Sequence, residues 1–175
     1  KRTKKFSVRK VLAGSIASIT AATIFFGAHP TLAVPPEATT TLDLIPLGTF
    51  IGSGGLYASE IVAFDTASKQ LFINNGALNR IDIVDVENPA TPTFVDSVDM
   101  SGYGRAVQSV TVGDGIVAAA VDVDPILNID NSQTASDGLV VLMDTNGNVL
   151  KTVVVGNLPD HVSFTPYKKT ILVAG

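Results

Sequence analysis

Three stretches of this chain open on one pattern: EIVAF at 60–64, QSVTV at 108–112 and DHVSF at 160–164, at spacings of 48 and 52 residues. Each begins a set of short β-branched runs separated by turn residues, the signature of strands. The first set is EIVAFD (60–65), QLFIN (70–74), RIDIVDV (80–86) and TFVDSVDM (93–100). Pro89 and Pro92 force the break before its fourth run, because proline cannot donate to a ladder. The second set is SVTV (109–112), IVAAAVDV (116–123), LVVLMD (139–144) and LKTVVV (150–155), with Asp114-Gly115 and Asn146-Gly147 as tight hairpin turns. The third begins at HVSF (161–164) and runs into TILVAG. Four strands repeating with a period near 50 residues are the mark of propeller blades, each burying its faces against its neighbours. The reading is an all-β chain of four-stranded antiparallel blades, about two and a third of them over residues 42–175. No stretch beyond residue 33 holds apolar residues at helical spacing for three turns. An ordinary two-layer antiparallel sandwich is the alternative architecture.

Ahead of the repeats stands a different kind of sequence. Six basic residues fall within positions 1–10, an apolar run follows at 16–28, and Pro30 precedes Thr31-Leu32-Ala33. A basic head, a moderate apolar run and a small-residue exit are the parts of a secretory signal peptide. Residues 1–33 are therefore expected to form a helical leader cut between Ala33 and Val34, and 34–41, rich in Pro and Thr, to form a linker. Gly14, Ser15, Ser18, Thr20 and Thr23 dilute the apolar run below what a permanent span requires, so no span is expected in the mature protein. Phe6-Ser7-Val8-Arg9-Lys10, followed by Gly14 and Ser18, resembles the YSIRK-G/S class of signal peptides, with Phe for Tyr and Val for Ile. That resemblance implies a Gram-positive bacterium and a secreted or cell-surface protein, often attached to the cell wall. The chain opens at Lys1 and stops within an apolar run, so it is expected to be part of a longer one.

Charge and residue type narrow the chemistry. The head takes half of the 12 basic residues, leaving six against 16 acidic ones, a surplus of ten negative charges. Such a surface repels phosphate backbones, and no basic stripe interleaved with aromatic residues argues for nucleic acid. Cysteine is absent, which excludes disulfides, thiolate metal sites and cysteine nucleophiles. Past the leader only His161 remains as an imidazole.

The run GLYASEIVAFDTASKQLFINNGALNRIDIVDVENPATPTFVDSVDM and the closing GNLPDHVSFTPYKKTILVAG resemble the choice-of-anchor I domain family. The likeness lies in 59–65, 71–74, 81–89, 108–112, 116–123 and 158–166 and covers nearly everything after the linker. It implies a secreted or surface β-propeller whose anchoring device varies between members. The chain departs from the family pattern at His161, at PYKK in place of a PDGK turn, and in a long loop at 122–138.

Two sets of residues are candidate sites. Glu60, Gln108 and Asp160 open the first strand of each repeat, near the channel of a propeller, where carboxylates and an amide suit a polar ligand or a cation. The competing view is that each caps a strand-opening turn through its own backbone. Asp122, Asp124, Asp130, Asn131 and Asp137 share one loop, so calcium is conceivable, although no EF-hand spacing is present. Asp144-Thr145-Asn146-Gly147-Asn148-Val149 is read as a turn rather than a calcium loop. Asp160 and His161 are neighbours on a strand and point to opposite faces, which disfavours an acid–base pair. No nucleophile elbow, zinc-binding HExxH or phosphate-cradling glycine loop is found.

The expectation is a non-catalytic binding or scaffold propeller meeting an extracellular protein or polar ligand. The alternative, implied by the family resemblance, is the N-terminal part of a metal-dependent phosphoesterase, of alkaline phosphatase or 5′-nucleotidase type, with its Asp and His clusters elsewhere.

Overall fold

The structure is a computed structural model describing residues 6–10, 40–56, 58–130 and 132–175. Contacts divide the chain into two units, Lys1–Leu47 and Gly48–Gly175. In the first, β1 (Phe6–Lys10) pairs antiparallel with β2 (Thr40–Leu44), from Phe6↔Leu44 to Lys10↔Thr40. This differs from the expected helical leader: Phe6 and Val8 are strand formers and find an extended, threonine-rich partner whose first two positions end the expected linker. The apolar run at 16–28 and the cleavage point at Ala33 and Val34 lie outside the described residues.

The regular structure of the second unit is almost wholly strand. β3 (Val62–Asp65), β4 (Gln70–Asn75), β5 (Arg80–Asp85) and β6 (Thr93–Asp99) form one antiparallel sheet in chain order. A single 3-10 turn, Gly76–Leu78, joins β4 to β5. β7 (Ala106–Gly113) and β8 (Ile116–Asp122) open the second sheet, and a small hairpin of β9 (Ile126–Leu127) and β10 (Gln133–Thr134) interrupts it. β11 (Asp137–Asp144) and β12 (Val149–Asn157) complete it, again in chain order. β13 (His161–Phe164) and β14 (Ile171–Ala174) form a third, two-stranded sheet. Each strand read from the sequence is present, several of them longer than their apolar runs. The two-residue strands β9 and β10 had no periodic signal to betray them.

The sheets stack in series. β7 touches β3 and β4 of the first sheet on one side and β13 of the third on the other. Between the first two sheets Phe72, Ile81 and Ile83 meet Val107, Val110, Val117, Ala119, Val121, Val141 and Met143. Between the second and third, Ala118, Ala120 and Val140 meet Val162, with Phe164 and Ile171 alongside. Alternate residues of β8 thus enter opposite cores, as the period of two requires when both faces of a sheet are covered. The small side chains of 118–120 let both neighbours approach closely. Three layers in succession, rather than a two-layer sandwich, are what form.

Register shows that the three sheets repeat one another. Val62↔Ile73, Val110↔Ala119 and Val162↔Val173 are corresponding pairs. Side chains also tie the sheets together. Asn79, in a left-handed conformation with φ 47°, accepts from Val107 N at 2.8 Å and donates to the Gly104 carbonyl at 2.9 Å. Ser109 Oγ accepts from Val162 N at 3.3 Å. Gly113 packs so closely on Phe164 that a Cβ would stand 2.9 Å from its ring.

The two predicted hairpin turns differ. Asp114 (φ 51°) and Gly115 (φ 76°) both take positive φ, as a two-residue type I′ turn demands. At the other turn only Gly147 does so, with φ 85°, and Gly147 N bonds the Asp144 carbonyl at 3.1 Å. This is a type I turn closed by a glycine bulge, and the register shifts after Leu142↔Lys151 to Met143↔Val149.

Candidate functional site

Glu60, Gln108 and Asp160 stand at or just before the first strands of the three sheets. Glu60 N bonds the Asn74 carbonyl at 3.2 Å, and Asp160 N bonds the Ala174 carbonyl at 2.8 Å, so the two hold the same place against their second strands. Gln108 is the bulge residue between Val107↔Val121 and Ser109↔Ala120. A bulge re-aims the side chain that it carries. Glu60 and Asp160 are exposed and Gln108 is half-buried. Val107 N at the start of β7 bonds the Asn79 side chain and Val162 N near the start of β13 bonds Ser109 Oγ, so the three strands open toward one end of the stack, where Arg80, opening β5, and Arg105, preceding β7, also lie. Glu60 also lines a cavity of about 230 Å³ together with Phe50 and Ile73. His161 is exposed and pairs with Ala174 at the same end.

The loop aspartates have separate fates. Asp122 is buried, and its carboxylate accepts from Arg105 Nε at 2.6 Å while a second guanidinium nitrogen completes the ion pair. Arg105 N also bonds the Asp122 carbonyl at 2.8 Å, so backbone and side chain lock together. Asp130 turns back on its own loop, accepting from Ser132 N at 2.9 Å and Ser132 Oγ at 2.6 Å. Those bonds, the hydroxyl's first, hold its carboxyl below the ordinary value. Asp124 is exposed, as is Asp137, which pairs with Asn157 in the sheet. Among the described residues no three His, Cys, Asp or Glu side chains come together as a metal site.

Asp144 occupies its oxygens in the turn that it begins. Oδ1 accepts from Asn146 N and Asn148 N, both at 2.9 Å, and Oδ2 accepts from Asn148 Nδ2 at 2.8 Å. Its carboxyl is held below the ordinary range, first by the Asn148 side chain and then by the Asn148 backbone.

Two polar assemblies were not visible in the sequence. On the first sheet Asn75 Nδ2 donates to Asp82 Oδ2 at 2.8 Å and to the Ser53 carbonyl at 2.9 Å, and Arg80 donates to Ser53 Oγ at 2.6 Å. Arg80 Nε and Asp82 Oδ1 lie 2.7 Å apart at an angle too poor for a directed hydrogen bond, so this contact holds by charge. On the second sheet the Arg105–Asp122 pair floors a cavity of about 290 Å³ that Gln133, Asn157 and Leu158 also line. That Arg105 is one of only six basic residues past the head was the available signal, but nothing in the spacing tied it to Asp122.

Among the described residues no helix is long and apolar enough to cross a membrane. The model of one family, the choice-of-anchor I domain, matches residues 60–175. Comparison with curated proteins gives no match.

Proposed function

The chain belongs to the choice-of-anchor I domain family, and from that membership we propose that it is a secreted or cell-surface protein whose sheets are β-propeller blades serving as a binding or scaffold module. The stacking in series carries this reading: β3, β7 and β13 lie side by side, each beginning a sheet that covers the next. In a radial array first strands line the channel, which puts Glu60, Gln108 and Asp160 at its mouth as an acidic, hydrogen-bonding rim for an extracellular protein or polar ligand. The outward face of the first sheet supports the same arrangement. Val62 is 58% exposed, whereas its counterparts Val110 and Val162 are 3% and 1% exposed beneath neighbouring sheets. In the propeller that face seats one more sheet.

The leader belongs to the same reading, with export by a YSIRK-type signal in a Gram-positive cell and Val34 as the first residue of the mature chain. The exported protein, assayed against p-nitrophenyl phosphate with and without a chelator, is expected to show no chelator-sensitive turnover. Chelator-sensitive hydrolysis would overturn the scaffold reading in favour of a phosphoesterase.

A further inference from the structure

We propose that the cavity beneath the β9–β10 hairpin binds an uncharged, hydroxyl-rich ligand the size of a monosaccharide. In the first sheet residues 76–79 suffice to connect the second strand to the third, whereas the second sheet uses 123–136 for the same step. Within the described residues of the longer connection, Asn128 N bonds the Ser132 carbonyl at 2.8 Å, and Asn128 Nδ2 donates to Ser132 Oγ at 2.9 Å and Thr134 Oγ1 at 3.0 Å. It carries Gln133 to the wall of a cavity of about 290 Å³, near the lower limit for small-molecule sites.

The wall has a definite chemistry. Asp122, 2% exposed, holds the guanidinium of Arg105 by Nε and one terminal nitrogen, while the Arg105 side chain stays 47% exposed. A guanidinium has five N–H donors in a rigid plane, so donors remain to face the cavity. Asn157 directs its Nδ2 to the Ser136 carbonyl at 2.7 Å, leaving its Oδ1 as an acceptor, and Gln133 offers both kinds of group. Leu158, beside Asn157, lines the cavity with φ 50°. A left-handed backbone at a residue other than glycine is strained, and such strain gathers where ligands bind.

Charge selects the occupant. The Arg105 cation is already neutralised by Asp122, so an anion would compete with a buried carboxylate for it, and a cation would meet the guanidinium. Hydroxyl groups both donate and accept, and a neutral ring carrying several of them satisfies this wall without an uncompensated charge. The cavity is distinct from the rim formed by Glu60, Gln108 and Asp160, so a failure here leaves the scaffold reading standing.

The test is a heteronuclear NMR titration of the full chain with glucose, galactose and N-acetylglucosamine, and with acetate as a charged control. At least one sugar should give saturable shifts confined to the amides of Arg105, Gln133, Asn157 and their neighbours, and acetate none. Ala135 also lines the cavity, so Ala135→Trp fills it while leaving Arg105 and Asp122 in the sequence, and Gln133→Ala removes one hydrogen-bonding group. With unchanged thermal midpoints, Ala135→Trp should abolish the shifts and Gln133→Ala should weaken binding about tenfold, as the loss of a well-formed hydrogen bond does. No response to any of the three sugars, a stronger response to acetate, or a response that survives Ala135→Trp would overturn the proposal.

Discussion

The first and second sheets are built from the same four-strand pattern and differ mainly in what covers them. In β8, Val117, Ala119 and Val121 pack toward the first sheet, while Ala118 and Ala120 pack toward the third. The first sheet buries Phe72, Ile81 and Ile83 in the same way on one face, but on the other Val62 and Phe64 meet solvent. One sequence motif therefore yields a buried strand or a half-exposed one according to its neighbours, so the stability of a repeat lies in its interfaces as much as in its own ladder.

A charge placed at corresponding positions breaks this comparison most sharply. Val110→Asp puts an unpaired carboxylate into the core between the first two sheets and should cost about 4 kcal/mol. Val62→Asp, at the equivalent site on the outward face, should stay within about 0.5 kcal/mol. Urea midpoints of the two variants of this chain on its own measure both, and equal losses would mean that residues of this chain already cover the face that a further sheet would take in the propeller.

A smaller effect of the opposite sign is expected at the next position of β4. Asn74 is fully buried, neither of its amide atoms finds a partner among the described residues, and Ala120 and Ala174 stand in its place in the other sheets. An unmet buried polar group carries a desolvation penalty of about 1–3 kcal/mol. Asn74→Leu, which keeps the branched shape with methyl groups in place of both amide atoms, should therefore raise the midpoint of thermal unfolding, and a fall would show that the amide has a structural task or that the site has no room for the larger side chain.

The smallest effect concerns the turns. The second sheet closes β11 to β12 on a carboxylate that three donors hold in its ionised form. Because the folded pKa of Asp144 lies below its ordinary value of 3.8, the stability it supplies is complete above that pH and is lost as the pH falls through the lowered value. An NMR titration should show Asp144 protonating below the ordinary range, and Asn148→Ala should move that protonation upward. An unchanged titration would show that the Asn148 side chain is not the main cause.

These contrasts explain how much the residues disclosed beforehand. Strand alternation and turn residues were local signals, so the strands were legible, as was the correspondence of Val62, Val110 and Val162, whereas Gln108, as the bulge residue, leaves the register that Glu60 and Asp160 share. Asp114-Gly115 announced its turn correctly because both residues tolerate positive φ. The fate of Asp122 was not legible: its acidic neighbours pointed to a cation, while the group that claims it, Arg105, lies 17 residues earlier and meets it only through the pairing of β7 with β8. The β9–β10 hairpin was hidden for a similar reason. Strands of two residues have no period, and Asn128 and Ser132 define that turn through side chains rather than through an apolar pattern.

The serial order of the sheets is tested most directly by nuclear Overhauser contacts in the isotope-labelled chain. Cross-peaks should join the Val107 amide to the Asn79 side chain, the Val162 amide to the Ser109 side chain, and the Phe164 ring to Gly113. Contacts of Val162 and Phe164 with Val62 and Phe64 in their place would fold the third sheet back onto the first and contradict the order.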